Sequence, residues 1–147
     1  MTYPQSFVQD IIHNYSVPVQ VNNSLDESKP LVEQFRHIWT PDLRILDDTG
    51  FELYHWNGYL PPAEFAARLL AGLGHARLRL RQFEAAEGLY ADALRRFPTA
   101  YAAPEAAYFG ATTAYRKTGE PNALLHGWHD LEKTYPQSEW TVKQNFD

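Results

Sequence analysis

The stretch Trp39-Thr40-Pro41-Asp42-Leu43-Arg44-Ile45-Leu46-Asp47-Asp48-Thr49-Gly50-Phe51-Glu52-Leu53-Tyr54-His55-Trp56-Asn57-Gly58-Tyr59-Leu60-Pro61-Pro62 decides the fold. Leu43 to Leu46 is a short apolar run, Asp47 to Gly50 is a cluster of turn residues, and Phe51 to Trp56 is an aromatic-rich second run. The spacing predicts a β-hairpin. Gly50 supplies the positive φ that such a turn needs, and Asp47 and Asp48 are placed to accept hydrogen bonds from the turn's amides. Asn57 and Gly58 end the hairpin. Pro61 and Pro62 then open a helix, whose first turn tolerates proline and whose positive end is complemented by Glu64.

Upstream, the apolar period changes several times, as it does when helices and strands alternate. Phe7, Ile11 and Ile12 recur at helical spacing after Pro4, which predicts a helix over residues 5–14. Val17, Val19 and Val21 alternate with Pro18, Gln20 and Asn22, which predicts a strand with one polar face. Ser28 is placed to cap a helix carrying Leu31, Phe35 and Ile38, with Pro30 in its first turn and Pro41 beyond its end.

Downstream of Phe65 the pattern is helical throughout. Leu69, Leu70, Leu73, Leu78 and Leu80 share a segment that ends in Arg77, Arg79 and Arg81, and basic residues favour a helix C-terminus. Phe83, Ala86, Tyr90 and Leu94 form a second helix that stops at Pro98. Ala107, Tyr108, Ala111 and Tyr115 form a third, ended by Gly119, and Leu124, Leu125, Trp128 and Leu131 a fourth, ended by Pro136. Trp140 and Val142 fall in a last short turn. The expected class is α/β followed by all-α, with residues 1–68 in the first part and 69–147 in the second and no linker between them. Gly72 and Gly74 lie inside the shared helix, where each costs about 1 kcal/mol relative to Ala, so close packing is the expected reason for them.

Charge divides the chain in the same way. Residues 1–60 hold eight acids and three bases, whereas the remainder holds ten of each, so the whole net charge of −5 sits on the first half. That balance argues against nucleic acid, which calls for a basic footprint, and against a polybasic membrane anchor. No apolar run reaches the roughly 18 residues of a membrane span. The first basic residue is Lys29 and Asp10 interrupts the early apolar residues, so no secretory leader is read and the chain is expected in the cytoplasm. With no cysteine among 147 residues there is no thiolate nucleophile, disulfide or thiolate metal site in this sequence.

Trp39-Thr40-Pro41 before a hairpin, followed by Gly58-Tyr59-Leu60-Pro61-Pro62 before a helix, resembles the C-terminal part of a thioredoxin-like domain. The resemblance implies that the Thr40–Pro41 bond is cis and that the Thr40 backbone meets a partner segment. It also implies what is missing: Thr2-Tyr3-Pro4 resembles the stretch just after the family's Cys-x-x-Cys turn, so the first strand and both cysteines would lie upstream of Met1. In the family that strand sits between the counterparts of Val17 to Asn22 and Leu43 to Leu46. Without it those strands pair with each other, or an external strand or second copy fills the gap, or the domain is poorly stable. Asp42 and Arg44 stand where the family is apolar or small, which suits a face open to solvent, and Arg36 replaces the glycine expected after the helix.

The second part is similar to tetratricopeptide (TPR) repeats, helix pairs of about 34 residues. Reading back from Pro98, Leu73-Gly74, Phe83, Ala86, Tyr90, Ala93 and Leu94 fall on the consensus. Reading back from Pro136, Tyr108, Ala111, Tyr115, Gly119, Trp128 and Leu131 fit, while Pro121 and Leu124 depart from it. About two TPR-like helix pairs are expected. The inward face of their first helices would carry His75, Arg79, Thr113, Arg116 and Lys117, a basic surface suited to an acidic peptide.

Two functions follow. One is a non-catalytic scaffold or protein-interaction module whose partner-binding residues are Trp39, Thr40 and Pro41 together with His75, Arg79, Thr113, Arg116 and Lys117. The other is the C-terminal part of a thiol-disulfide oxidoreductase, with a role in cell redox homeostasis by resemblance. No catalytic residue, cofactor or metal is assigned. His126 and His129 have ligand spacing but no third ligand, His37 and His55 lack a nucleophile or paired carboxylate, and Gly72-Leu73-Gly74 lacks the lysine of a phosphate loop.

Overall fold

The computed structural model describes residues 1–144. The elements run α1 (Ser6–Tyr15), a single 3₁₀ turn (Asp26–Ser28), α2 (Lys29–Gln34), β1 (Asp42–Leu46), β2 (Glu52–Asn57), α3 (Pro62–Arg79), α4 (Phe83–Arg96), α5 (Ala103–Thr118), α6 (Pro121–Thr134) and α7 (Glu139–Lys143). A small mixed part thus precedes a helical one, and α3 runs unbroken between them. No helix among the described residues is long and apolar enough to cross a membrane.

The hairpin forms as its sequence predicts. β1 and β2 pair antiparallel from Asp42 opposite Asn57 to Leu46 opposite Glu52, with an irregularity between Ile45 and Leu46. Gly50 turns the chain at φ +84°. Asp47 Oδ1 accepts from the Thr49 and Phe51 amides at 2.9 Å each and from the Thr49 hydroxyl at 2.6 Å, bonds that hold its carboxyl below the usual range.

The two strands are the whole sheet among the described residues, and this corrects the expected strand at Val17 to Asn22. That segment takes no regular structure and pairs with no described strand, and Val17 is 88% and Val19 81% exposed. Period-two alternation marks a segment able to pair, yet a strand exists only where a neighbour accepts its backbone. The helix expected around Leu31, Phe35 and Ile38 is also shorter. Ser28 is buried without capping α2, and Ile38 is exposed. The chain leaves α2 at Arg36, φ +48°, where the Arg36 and His37 amides donate back to the Glu33 and Val32 carbonyls. The same closure recurs after α3, with Arg81 at φ +59° and the amides of Arg81 and Gln82 reaching Leu78 and Arg77. This closure favours glycine, and a side chain held there costs roughly 1–2 kcal/mol.

Helix α3 organises the core. Its Phe65, Ala66, Leu69, Leu70 and Leu73 pack with Val8 and Ile11 of α1 and with Ala86, Leu89, Tyr90 and Ala93 of α4. The hairpin lies against α3, while α4, α5 and α6 follow as successive neighbours and α7 packs on α5. Both interior glycines mark close approaches. A Cβ on Gly72 would lie 2.5 Å from Tyr54 Cδ1, and one on Gly74 would lie 2.6 Å from Tyr90 Cε1. Tyr90 is wholly buried and has no room to retreat.

Gly74→Ala should therefore lower stability by about 1–2 kcal/mol, the overpacking cost exceeding the gain in helix propensity. Gly88→Ala in α4, whose added Cβ meets nothing within 4 Å, should raise it by up to about 1 kcal/mol. Denaturant midpoints of the two variants, moving in opposite directions from the parent, check both.

Candidate functional site

On α3, Arg68, Gly72, His75 and Arg79 recur at helical spacing and form one stripe. Glu105, Phe109 and Arg116 form a second stripe on α5. The stripes face each other, and because Gly72 has no side chain, Tyr54 of β2 reaches the space between them. The result is a groove of about 380 Å³ lined by Tyr54, His75, Leu78, Arg79, Glu105, Phe109, Arg116 and Trp140.

Its floor is a fully engaged carboxylate. The Glu105 side chain is 7% exposed and takes three donors: Arg68 Nη1 at 2.5 Å on Oε2, and His75 Nε2 at 2.9 Å and the Tyr54 hydroxyl at 3.0 Å on Oε1. Arg68 Nη1 also donates to the Tyr54 oxygen at 3.0 Å. Burial pushes the Glu105 carboxyl up, but the His75 hydrogen bond, the Arg68 and His75 charges and the Tyr54 hydroxyl outweigh it and hold the group below the usual carboxylate range. Its place in the first turn of α5 favours the same ionised form. Burial, then the adjacent Glu105 charge, pushes the Tyr54 hydroxyl up to about 12. The His75 ring is stacked on Tyr54 at 5.0 Å and meets Phe109 edge-on at 4.1 Å.

The mouth is basic. Arg79 and Arg116 are exposed, and neither makes a hydrogen bond or ion pair with another described residue. Trp140 and Phe109, in edge contact at 5.3 Å, form an aromatic wall, and Lys143 Nζ lies 3.8 Å over the Trp140 ring.

Of the residues expected on this face, His75, Arg79 and Arg116 come together, whereas Thr113 and Lys117 do not. Thr113 is completely buried and its hydroxyl donates to the Phe109 carbonyl at 2.6 Å, so no partner can reach it. Lys117 turns toward α4, 2.8 Å from Glu87 and 3.5 Å from Glu84. Lys117 lies one residue from Arg116, a rotation that carries its side chain off the groove face, whereas Thr113, three residues before Arg116, is on the part of α5 turned into the core. Tyr54, Arg68 and Glu105 were not singled out in the sequence. The available signal was a lone acid among the buried alanines 102, 103 and 106, and an arginine inside the apolar run of α3.

Trp39, Thr40 and Pro41 lie elsewhere, on a surface loop. The Thr40–Pro41 bond is cis, and Trp39 is 68% exposed. Asn23 Nδ2 lies 3.0 Å from both Thr40 Oγ1 and His37 Nε2, and His37 Nδ1 lies 3.2 Å from Asp42 Oδ2. Asp42 and Arg44, expected on an open face, are largely covered. Arg44 Nη2 donates to the same Asp42 oxygen at 2.9 Å and to the Phe35 carbonyl at 3.0 Å, Nη1 pairs with Glu52, and the guanidinium lies 4.8 Å over the Phe35 ring. The loop after α2 folds over them; Arg44 and His37 both meet Asp42 through Oδ2, while Oδ1 is buried without a hydrogen-bond partner among the described residues.

Comparison of the chain with protein-family models, with curated proteins and with solved structures gives no match.

Replacing Glu105 by Gln should cost about 2–4 kcal/mol at pH 7, because Arg68 loses its charge partner and His75 and Tyr54 a charged acceptor in a buried setting. A depressed carboxyl pKa contributes stability that is complete above the unfolded value and is lost as pH falls through the folded one. The gap between parent and Glu105→Gln should therefore close as pH is lowered below about 4.3, the unperturbed glutamate value, toward 3. Denaturant titrations of both proteins across pH 3 to 7 check it.

Proposed function

We propose that the chain is a cytoplasmic protein-interaction module, in which a thioredoxin-like half serves as scaffold and TPR-like helices offer a groove to an acidic peptide. One observation carries this reading. Arg79 and Arg116 stand free of described partners beside a groove in which Glu105, the one acid among the described lining residues, is already paired with Arg68 and held by His75 and Tyr54. Among the described residues, an incoming carboxylate thus meets two uncommitted guanidiniums and no unpaired acid in the lining. Guanidinium forks suit carboxylates, bidentately where the geometry allows.

The groove's walls add to this. Leu78, Phe109 and Trp140 supply apolar area of the kind that anchors peptide side chains, while the floor is held rigid by hydrogen bonds from three elements. Trp39, on its braced loop, is a second exposed anchor for the same or another partner. The sequence has no cysteine, so thiol-disulfide exchange is outside the repertoire of these 147 residues.

A glutamate-rich peptide titrated into the protein by calorimetry should bind, with affinity falling as salt rises. The Arg79→Glu/Arg116→Glu double variant should bind at least about tenfold more weakly, since two attractive charges become repulsive. Unchanged affinity in the variant, or no binding by the parent, would remove the groove from the account.

A further inference from the structure

The loop between α2 and β1 sets a hydroxyl, an imidazole and a carboxylate in a row, and none of these residues lines the groove. Thr40 Oγ1 lies 3.2 Å from His37 Nε2, and His37 Nδ1 lies 3.2 Å from Asp42 Oδ2. Both partners that His37 lacks in sequence are therefore present in space. The loop that brings them together is pinned along its length. The His37 amide donates to the Val32 carbonyl at 3.0 Å, the Gly58 amide to the Pro41 carbonyl at 2.9 Å, and Asn57 Nδ2 to the Trp39 carbonyl at 3.4 Å. The three side chains are thus held in order without any ligand, which is the positioning that lowers a bimolecular barrier.

Each partner fixes a role. An ionised carboxylate only accepts, so the neutral His37 ring turns Nδ1–H to Asp42 and keeps its lone pair on Nε2, beside the hydroxyl. Burial pushes the Asp42 carboxyl up, but the hydrogen bonds from Arg44, at 2.9 Å to the same oxygen, and from His37 outweigh it and hold the group below the usual range. A brace for the loop would be served by either tautomer of His37; the one held here makes Nε2 a base. The His37 and Asp42 side chains are 18% and 10% exposed, whereas Thr40 is open to solvent, so the base is shielded and the hydroxyl can be reached.

Asn23 completes the arrangement. Its Nδ2 lies 3.0 Å from both Thr40 Oγ1 and His37 Nε2, which places its N–H groups within reach of the oxygen on any carbonyl carbon that Thr40 Oγ1 attacks. When that oxygen draws the amide to itself, the Nε2 lone pair is released for the hydroxyl proton. Ile38 and Trp39, 80% and 68% exposed, precede Thr40 in the chain and offer apolar surface to the rest of the molecule under attack. An aryl ester brings an apolar body to such a surface.

We propose that Thr40, His37 and Asn23 form a hydrolytic site for aryl esters, with Asp42 as the positioning residue for His37. Thr40 Oγ1 bonds to the ester carbonyl carbon as its proton passes to Nε2. The bond from that carbon to the aryl oxygen then breaks, and the leaving oxygen keeps the electron pair and takes the proton from His37. Water, giving a proton to the same Nε2, attacks the acyl group on Thr40. The hydroxyl leaves with that proton and the free acid is released, with no change of oxidation state.

The probe is p-nitrophenyl acetate added to the full chain, read by nitrophenolate release and by peptide mass mapping of acid-quenched samples. Acylation by so activated an ester outruns deacylation, so the acetyl group should be found on Thr40. Thr40→Ala, His37→Gln and Asn23→Ala should each lower release at least about tenfold. Thr40→Ser, which lacks the crowding methyl, should react at least as fast as the parent and carry the acetyl group at position 40. Asp42→Asn should slow release as well and shift the His37 ring nitrogens in NMR spectra, the mark of a lost Nδ1–H tautomer. His129→Ala, which removes an exposed histidine on α6, should change nothing. Circular dichroism checks that each variant is folded, and the two substitutions at exposed Thr40 decide the matter even where a change at His37 loosens the loop. Acetyl groups found only on lysines or the N-terminus, equal release by parent and Thr40→Ala, or a loss in Thr40→Ser as complete as in Thr40→Ala would each overturn the inference. None of these outcomes bears on the groove, whose residues are not touched.

Discussion

The Glu105 carboxylate is the point on which the two parts of the chain meet. Its three donors come from β2 and from two places on α3, while the carboxylate itself belongs to α5. An isolated two-stranded hairpin is at best marginal in water, so β1 and β2 need a surface to lie on. α3 provides that surface, and Gly72 lets Tyr54 come close enough for its hydroxyl to reach Glu105. A buried charge is tolerated only when its hydrogen-bonding capacity is met, and here it is met from both parts at once. Loss of one donor would leave the others facing an under-satisfied anion.

The same arrangement leaves the groove basic. Arg68 and His75 are occupied at the floor, so Glu105 presents little net negative charge to a ligand, whereas Arg79 and Arg116 remain uncommitted at the helix ends. Placement near those ends suits the helix dipoles, which accounts for the arginines locally without any ligand. The two guanidiniums at the mouth of one groove make it locally positive, and function is argued from that juxtaposition. The first part of the chain holds all of the net negative charge, in contrast to this basic groove mouth.

Local signals were enough for most elements. Asp47 to Gly50 announced the hairpin, Pro61-Pro62 and Gly119 announced helix ends, and the glycines at 72 and 74 announced close packing, because each depends on neighbours a few residues away. The failures were nonlocal. Val17 to Val21 alternates correctly but has no strand beside it, and Asp42 with Arg44 is covered by a loop whose path turns on the left-handed Arg36. In the groove, helical spacing was sufficient for His75, Arg79 and Arg116. It could not separate them from Thr113 and Lys117, whose fates depend on α5 rotating one face into the core and another toward α4. Glu105, Arg68 and Tyr54 lie far apart in sequence, and only the packing of α3 between β2 and α5 brings them together.

A double-mutant cycle on Tyr54→Phe and Glu105→Gln, read by denaturant unfolding at pH 7, tests most directly whether the carboxylate joins hairpin to helices. The account expects a coupling of about 1–2 kcal/mol, appropriate to a buried hydrogen bond onto a charged group. Additive losses, within about 0.3–0.5 kcal/mol, would contradict it by showing that the hairpin and α5 are held independently.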